Sequence, residues 1–183
     1  MGVGAIDRSR FAWRFNRRLL PVVACIYLIF CSVAGASQGR AVPLEERAQG
    51  ASQIVVATVT SVTPRWDVNA YGDRLIISRL SLRVDETLKG VAAAAVSMDL
   101  EGGTLDGLTL RVSALPALEL GERAVFFLNA RTGGLNAGTG VYQPHLAGQG
   151  ILELDDAESV RGSNLTLATV RAIVRRAVAG TRR

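Results

Sequence analysis

The chain has 183 residues, of which 49% are hydrophobic, and it carries 21 basic and 16 acidic side chains. The excess positive charge lies near the two ends, because residues 37–170 hold 11 basic and 15 acidic side chains, a net charge of −4. A domain that binds nucleic acid needs clustered positive charge on its folded part, so this composition argues against a nucleic-acid partner.

The first 36 residues predict export. Five arginines precede an apolar run over residues 19–33, and three small residues follow it. A basic start, a short apolar region and small residues at −3 and −1 mark a secretory signal peptide. We therefore expect residues 1–36 to be a signal peptide with Ala34 and Ala36 at the cleavage site. Residues 37–183 would then form one exported domain, periplasmic or extracellular.

Three alternatives for this leader stay open. Residues 22–25 resemble a lipobox that would make Cys25 a lipid attachment site, although they lie at the start of the apolar run. Arg17 and Arg18 loosely fit a twin-arginine signal. The third alternative is an uncleaved membrane anchor over residues 19–36. A spanning helix needs about 20 apolar residues, whereas this run is shorter and contains a proline.

Both cysteines, Cys25 and Cys31, belong to the leader. The cleaved protein would therefore have no disulfide, no cysteine-ligated metal and no cysteine nucleophile. The remaining domain is long enough to bury a core without such cross-links.

The chain after the leader predicts a helix at each end of the domain. Residues 43–49 begin with a proline and two acids, which suit the first turn of a helix, and Gly50 ends it. At the other end, residues 165–178 carry apolar side chains at helical spacing. The candidates for the N-cap of this second helix are Ser163, Asn164 and Thr166.

Between the two helices, alternation and apolar runs predict six or so strands. Residues 75–88 alternate most clearly, which places Leu82 inward and Arg83 outward. The runs 54–63 and 124–128 are apolar on both sides, which predicts strands covered on two faces. The other expected segments are a hairpin of strands 96–100 and 108–112 with a turn at residues 102–103, polar loops at 64–74 and 129–140, and short strands at 141–142 and 151–154.

Antiparallel strands flanked by two helices predict a mainly β fold, a small Greek-key or OB-like barrel that is closed or partly open. Several short segments add to this prediction through their order: residues 53–59, Trp66, 82–90, 102–103, Pro116, 121–122, 125–128 and 149–150. In that order they resemble a group of uncharacterised secreted bacterial proteins with an OB-like barrel, akin to the netrin-like domain of the tissue inhibitors of metalloproteinases. The resemblance spans most of residues 43–175.

This resemblance implies a fold and no activity. The metalloproteinase inhibitors grip the zinc ion of their target with a disulfide-tied N-terminal cysteine. The predicted mature chain has no cysteine, so that mechanism does not carry over to it.

Few residues point to catalysis or to metal binding. His145 is the only histidine and lies in a loop-like segment without a co-ligand at zinc-site spacing, so a loop residue without a chemical role is favoured. The glycine pairs lack the lysine of a phosphate-binding loop, and no Gly-x-Ser-x-Gly elbow occurs. A group of acids could bind a hard cation, but a solvated turn is favoured: Glu153, Asp155, Asp156 and Glu158. We expect no cofactor and no metal.

The loop expected at residues 64–74 holds the best candidates for binding. Trp66 and Tyr71 are aromatic anchors beside Arg65 and Arg74, and OB-like folds often bind through such loops. Packing of both aromatics onto the barrel rim is the competing interpretation. We expect a non-enzymatic, exported binding module with a protein or envelope partner. The alternative is an envelope hydrolase with two carboxylates across a groove, acting on an extracellular or cell-wall polymer.

Overall fold

The computed structural model describes residues 41–69, 71–131 and 140–180. The predicted leader, its cleavage site and the alternatives for it lie outside these residues, as does most of the loop predicted at 129–140. The helices are α1 (Leu44–Gly50) and α2 (Leu167–Gly180), and a short 3₁₀ helix spans Ala147–Gly150. The strands are β1 (Gln53–Val68), β2 (Arg74–Lys89), β3 (Ala95–Glu101), β4 (Gly103–Leu105), β5 (Leu108–Leu110), β6 (Arg123–Ala130), β7 (Val141–Pro144) and β8 (Ile151–Glu153). The prediction of a mainly β fold with a helix at each end is confirmed.

Five strands form a ring in the order β1-β2-β3-β7-β6, because β6 also pairs with β1. Strand β8 pairs with the other edge of β6, and β4 and β5 form a separate two-stranded sheet. The pairs in the ring are antiparallel except for β3 with β7, which is parallel. The expectation of purely antiparallel pairing is therefore wrong at that one pair.

Strands β1 and β6 are covered on both faces, as their apolar sequences predict. One face of β1 places Val55 and Ala57 in a hydrophobic cluster with β2, β3 and β6. The opposite face places Ile54 and Val56 in a second cluster, against both helices. Each strand therefore stabilises two cores at once, one on the inner face of the ring and one beneath the helices.

Strand β2 confirms the predicted alternation. Leu82 is completely buried in the first cluster, and it lies between Val59 of β1 and Val96 of β3 in the register of the sheet. The side chain of the next residue, Arg83, keeps 65% of its surface exposed. The inner and outer faces of the ring are thus set by period-two patterning.

Strand β1 continues past Pro64, where the sequence predicts its end. Strand β6 pairs with β1 only through Gln53–Thr58, and β2 is the strand that pairs with the rest of β1, to Val68. Beyond Thr58, β1 therefore has one edge without a β6 partner. A proline lacks an N–H donor, and a strand edge tolerates this residue because no neighbouring strand needs the donor. The polar loop predicted at 64–74 therefore shrinks to a tight turn between β1 and β2.

The hairpin predicted from residues 96–112 is also arranged differently. Strand β5 pairs with β4 rather than with β3, and the turn lies between Leu105 and Leu108. Gly103 has a φ of +131°, and a Cβ atom there would collide with the hydroxyl of Ser78. The glycine pair therefore lets the chain bend from β3 into β4 against the sheet, instead of turning it back.

One terminus of each helix is capped by a side chain. Lys89 Nζ donates hydrogen bonds of 2.6 to 2.9 Å to the backbone oxygens of Ala48, Gln49 and Ala51, which are acceptors that the end of α1 leaves open. Thr166 Oγ1 accepts from the backbone N–H of Thr169 at 3.3 Å and caps the start of α2. Among the described residues, neither helix is long and apolar enough to cross a membrane.

Candidate functional site

The turn between β1 and β2 is fixed by its own hydrogen bonds. Asn69 Oδ1 accepts from the backbone N–H groups of Tyr71 and Asp73, both at 2.9 Å, and Asn69 N donates to Asp73 O at 3.0 Å. The side chain of Tyr71 nevertheless makes little contact with the domain, since the residue keeps 90% of its surface exposed. A large aromatic group is thereby presented to solvent on a defined turn.

Trp66 lies on β1 rather than in a loop, and it is 36% exposed. The guanidinium carbon of Arg74 lies 4.9 Å from the centroid of its ring, within the range of a cation–π contact. The indole Nε1 donates to Asp106 Oδ2 at 3.3 Å, in the turn between β4 and β5. Trp66 therefore both packs on the rim of the ring and keeps a third of its surface for contact with solvent. We call Trp66, Tyr71 and Arg74 the hairpin tip.

Arg65, the fourth predicted binding residue, belongs to a buried ion cluster that the sequence does not reveal. Its Nη2 donates to Asp67 Oδ2 at 2.9 Å and to Asp99 Oδ2 at 2.8 Å. Arg79 binds both oxygens of Asp99 at 2.9 Å. Arg131 donates to Asp99 and, at 3.3 Å, to Asp67. These five residues, which we call the ion cluster, come from three ring strands and from the end of β6.

The opposite charges in the ion cluster stabilise each other. Asp67 and Asp99 are 1% and 5% exposed, and Arg131 is 9% exposed. Burial by itself would raise the pKa of Asp99, but hydrogen bonds and charge from Arg79 and Arg65 outweigh it and bring that pKa below its ordinary value. Asp99 is therefore an ionised acceptor and cannot act as a general acid near neutral pH.

Two cavities adjoin this end of the ring. The smaller, of about 300 Å³, is lined by Tyr71 together with Asp99, Arg131 and Gln143. The larger, of about 450 Å³, lies between the inner face of the ring, the β4–β5 hairpin and the segment 111–118. They share three lining residues: Leu100, Glu101 and Leu115.

His145 lies away from the hairpin tip, against the end of α1. Its Nδ1 is 3.0 Å from Asn129 Nδ2. Asn129 Oδ1 accepts from Ser52 N at 2.7 Å, which turns the amide N–H₂ toward the imidazole, so Nδ1 is the acceptor of a neutral ring. Burial and the charge of Lys89 both lower the pKa of His145. The described residues contain no group of three or more His, Cys, Asp or Glu side chains that could hold a metal ion.

The acidic segment near residue 155 is bound into the local structure. Asp155 Oδ1 accepts from the backbone N–H groups of Ala157 and Ser159 at 2.9 and 2.8 Å, which closes a turn. Glu158 accepts from Arg123 at 3.0 Å, and Glu153 from Arg161 at 3.3 Å. Three of the four acids therefore have hydrogen-bond partners within the domain itself.

The fold and the site define a mainly β domain that presents two exposed aromatic side chains, Trp66 and Tyr71, at one end of the β1–β2 hairpin. No protein-family model matches the chain, and no curated protein matches it. Its function is therefore inferred from the geometry of the described residues.

Proposed function

We propose that this chain is an exported, non-enzymatic binding module that holds a protein partner at the hairpin tip. The observation that carries the proposal is Tyr71, which is 90% exposed on a turn fixed by three hydrogen bonds, two of them accepted by the side chain of Asn69. Aromatic side chains on preorganised backbone are frequent anchors of protein interfaces, because they bury much apolar area at a small cost in side-chain entropy.

The surroundings of Tyr71 suit a protein partner. The exposed third of Trp66 adds apolar area, and the Arg74 guanidinium on its ring adds a planar donor. Carboxylates of Asp73 and Asp106 lie at the turns on either side. An aromatic centre within a rim of mixed charge is the usual composition of a protein interface.

The hydrolase alternative receives less support from the same site. It requires one carboxyl group that keeps its proton and a second carboxylate across a groove. The most buried carboxylates here, Asp67 and Asp99, are both paired with guanidinium groups. His145 is paired with an amide rather than with a carboxylate or a nucleophile.

For the fold, we propose the finer description of a small Greek-key, OB-like barrel of the netrin-like kind. The closed ring of five strands and the two flanking helices support it. For the location of the protein, we propose export to the periplasm or the extracellular space. The basic and apolar leader supports this proposal.

The experiment places a photo-crosslinking aromatic residue at position 71 of the full chain in its native host. We expect crosslinks to a distinct envelope or extracellular protein from this position. Two control positions are highly exposed apolar residues elsewhere, Val91 and Leu120, at 77% and 71% exposure. Val91 follows β2 at the opposite end of the β1–β2 hairpin, and it should give no such product.

The double change Trp66→Ala, Tyr71→Ala should abolish the same complex while the domain keeps a cooperative thermal transition. His145→Ala should leave the complex intact. The proposal is wrong if positions 71 and 91 crosslink to the same proteins. Loss of the cooperative transition in the double variant would instead assign both aromatics to rim packing.

A further inference from the structure

The cavity of about 450 Å³ is large enough for a small organic ligand and has a definite chemical polarity. Pockets of 300 to 1,000 Å³ that combine an apolar lining with a few polar groups are typical of small-molecule sites. This one lies beside the inner face of the ring. Its lining divides into an apolar part and a polar wall.

The apolar part is built by residues of the ring and of the segment that closes it. Leu80 and Leu100 belong to the first hydrophobic cluster, and Leu118 joins them from the segment 111–118. Val62 lies at the opening and is still 38% exposed, although the same face of β1 is buried further along the strand. An apolar surface that the domain itself leaves partly open has a free-energy gain available from an apolar ligand.

The polar wall carries hydroxyl groups and one positive charge. Thr104 Oγ1 and Thr109 Oγ1 lie 2.9 Å apart on the β4–β5 hairpin, and Arg111 follows directly after β5. The Arg111 side chain is exposed, and within the described part of the chain its guanidinium makes no hydrogen bond or ion pair. Its five N–H donors are therefore available to an anion.

The one acid at this cavity makes no ion pair with Arg111 within the described part of the chain. Glu101 also contributes to the lining, but it follows Leu100, whose side chain belongs to the first cluster. Because successive side chains of a strand alternate between its faces, Glu101 projects to the opposite face, on the side of Asp99. Arg111 therefore keeps its donors open at this cavity, where they complement an anionic group.

We propose that this cavity is a binding site for an amphiphilic carboxylate, a free fatty acid of medium chain length. Its hydrocarbon tail lies along Val62 and the apolar lining beside it. Its carboxylate accepts hydrogen bonds from Arg111 and from the one threonine hydroxyl that does not already donate to the other. A carboxylate matches the planar fork of a guanidinium. The site is separate from the hairpin tip and does not depend on the proposed protein partner.

The test is calorimetric titration of the purified full chain with decanoate below its critical micelle concentration. We expect saturable binding, and about tenfold weaker binding after Arg111→Gln, which corresponds to about 1.4 kcal/mol, because the variant loses a charge-assisted hydrogen bond. Arg83→Gln is the matched control: it removes an arginine that is 65% exposed on β2, and it should leave the affinity unchanged. Val62→Asp should also weaken binding, while circular dichroism verifies that each variant is folded.

Decyltrimethylammonium has the same tail with a cationic head, and it should bind at least tenfold more weakly than decanoate. Tyr71→Ala should not alter decanoate affinity, so failure here is distinguishable from failure of the hairpin tip. The proposal is overturned by any of three results: no saturable decanoate binding, equal affinity for the cationic amphiphile, or equal effects of Arg111→Gln and Arg83→Gln. Binding to phosphatidylglycerol vesicles without binding to free decanoate would also overturn it, in favour of a membrane surface.

Discussion

At the scale of single residues, the two aromatics of the hairpin tip and the ion cluster differ in how far the sequence reveals them. Trp66 and Tyr71 can be predicted as surface candidates because they are aromatic residues in a polar segment. The ion cluster is not predictable in this way, since Asp67, Arg79 and Asp99 meet only through the strand register. Charged residues within the strands are the one available signal, and they also fit a solvated face.

Asp99 gives the sharpest test of the ion cluster. Asp99→Asn would leave three buried or half-buried guanidinium groups with one carboxylate fewer. Removing one partner of a buried ion pair typically costs about 3 to 5 kcal/mol, because the remaining charge stays desolvated. We expect a loss of that size in the free energy of unfolding, measured by urea denaturation.

The matched control for Asp99 is Asp106→Asn. Asp106 lies in the exposed turn of the β4–β5 hairpin with a φ of +51°, a conformation that asparagine adopts readily. Its effect should stay within about 0.5 kcal/mol. Equal effects of the two substitutions would mean that the ion cluster is not buried in solution.

His145 predicts a pH dependence of stability. Its pKa in the folded protein is lowered by burial and by the charge of Lys89, so the unfolded chain binds the proton more readily. The stabilising contribution is therefore complete above about pH 6.5, the ordinary value, and is lost as the pH falls through the lowered pKa. The free energy of unfolding should decrease between about pH 7 and pH 5.

The variant His145→Gln isolates this effect, because it removes the titrating group while carboxylates continue to titrate. The difference in unfolding free energy between the native chain and this variant should shrink as the solution is acidified from pH 8. A difference that grows on acidification would show that the protonated imidazole is stabilised in the fold. It would contradict the neutral tautomer inferred from Asn129.

At the scale of elements, strand β2 was the easiest to predict and the β3–β5 region the hardest. The period-two pattern of β2 depends only on the residues of that strand, so it can be found from the sequence without knowing the neighbouring strands. The partner of β5 depends instead on the bend at Gly103. The continuation of β1 past Pro64 likewise depends on which edges of β1 have neighbours. Both outcomes follow from tertiary context, which local propensity does not encode.

Neighbouring residues of β2 allow a direct test of its orientation. Leu82→Asp would place an unpaired carboxylate in the first hydrophobic cluster, where Leu82 is completely buried, and should cost several kcal/mol of unfolding free energy. Arg83→Asp changes an exposed side chain and should stay within about 1 kcal/mol. Chemical denaturation of both variants decides the matter, since equal losses would mean that the register of β2 is wrong.

At the scale of the whole molecule, the ring and the helices form one folding unit because β1 and β6 contribute to both hydrophobic clusters. Ion pairs add to this connection, since Arg171 of α2 donates to Glu86 of β2 at 2.7 Å. A helix at each end of the described domain thereby covers the outer face of β1 and β6. This arrangement explains why the apolar runs of β1 and β6 show no alternation, and the sequence alone was sufficient to predict it.

The export of the whole molecule rests on residues outside the described part and can be tested separately. A basic start, an apolar run and Ala34 and Ala36 at −3 and −1 predict cleavage after Ala36. N-terminal sequencing of protein recovered from the periplasm or the medium should therefore begin at Ser37. Ala36→Arg should block processing because the −1 site accepts small side chains, whereas Gln38→Asn, two residues after the site, should leave it unchanged.

The other fates of the leader each give a distinct product in that experiment. An N-terminus at Cys25 with an attached lipid would establish the lipobox, and a full-length chain in the membrane fraction would establish the anchor. A full-length chain in the cytoplasm would contradict export itself, and with it the location in which the hairpin tip is proposed to meet its partner. The fatty-acid site would survive that result, because it depends on Arg111 and the apolar lining of the cavity and not on the compartment.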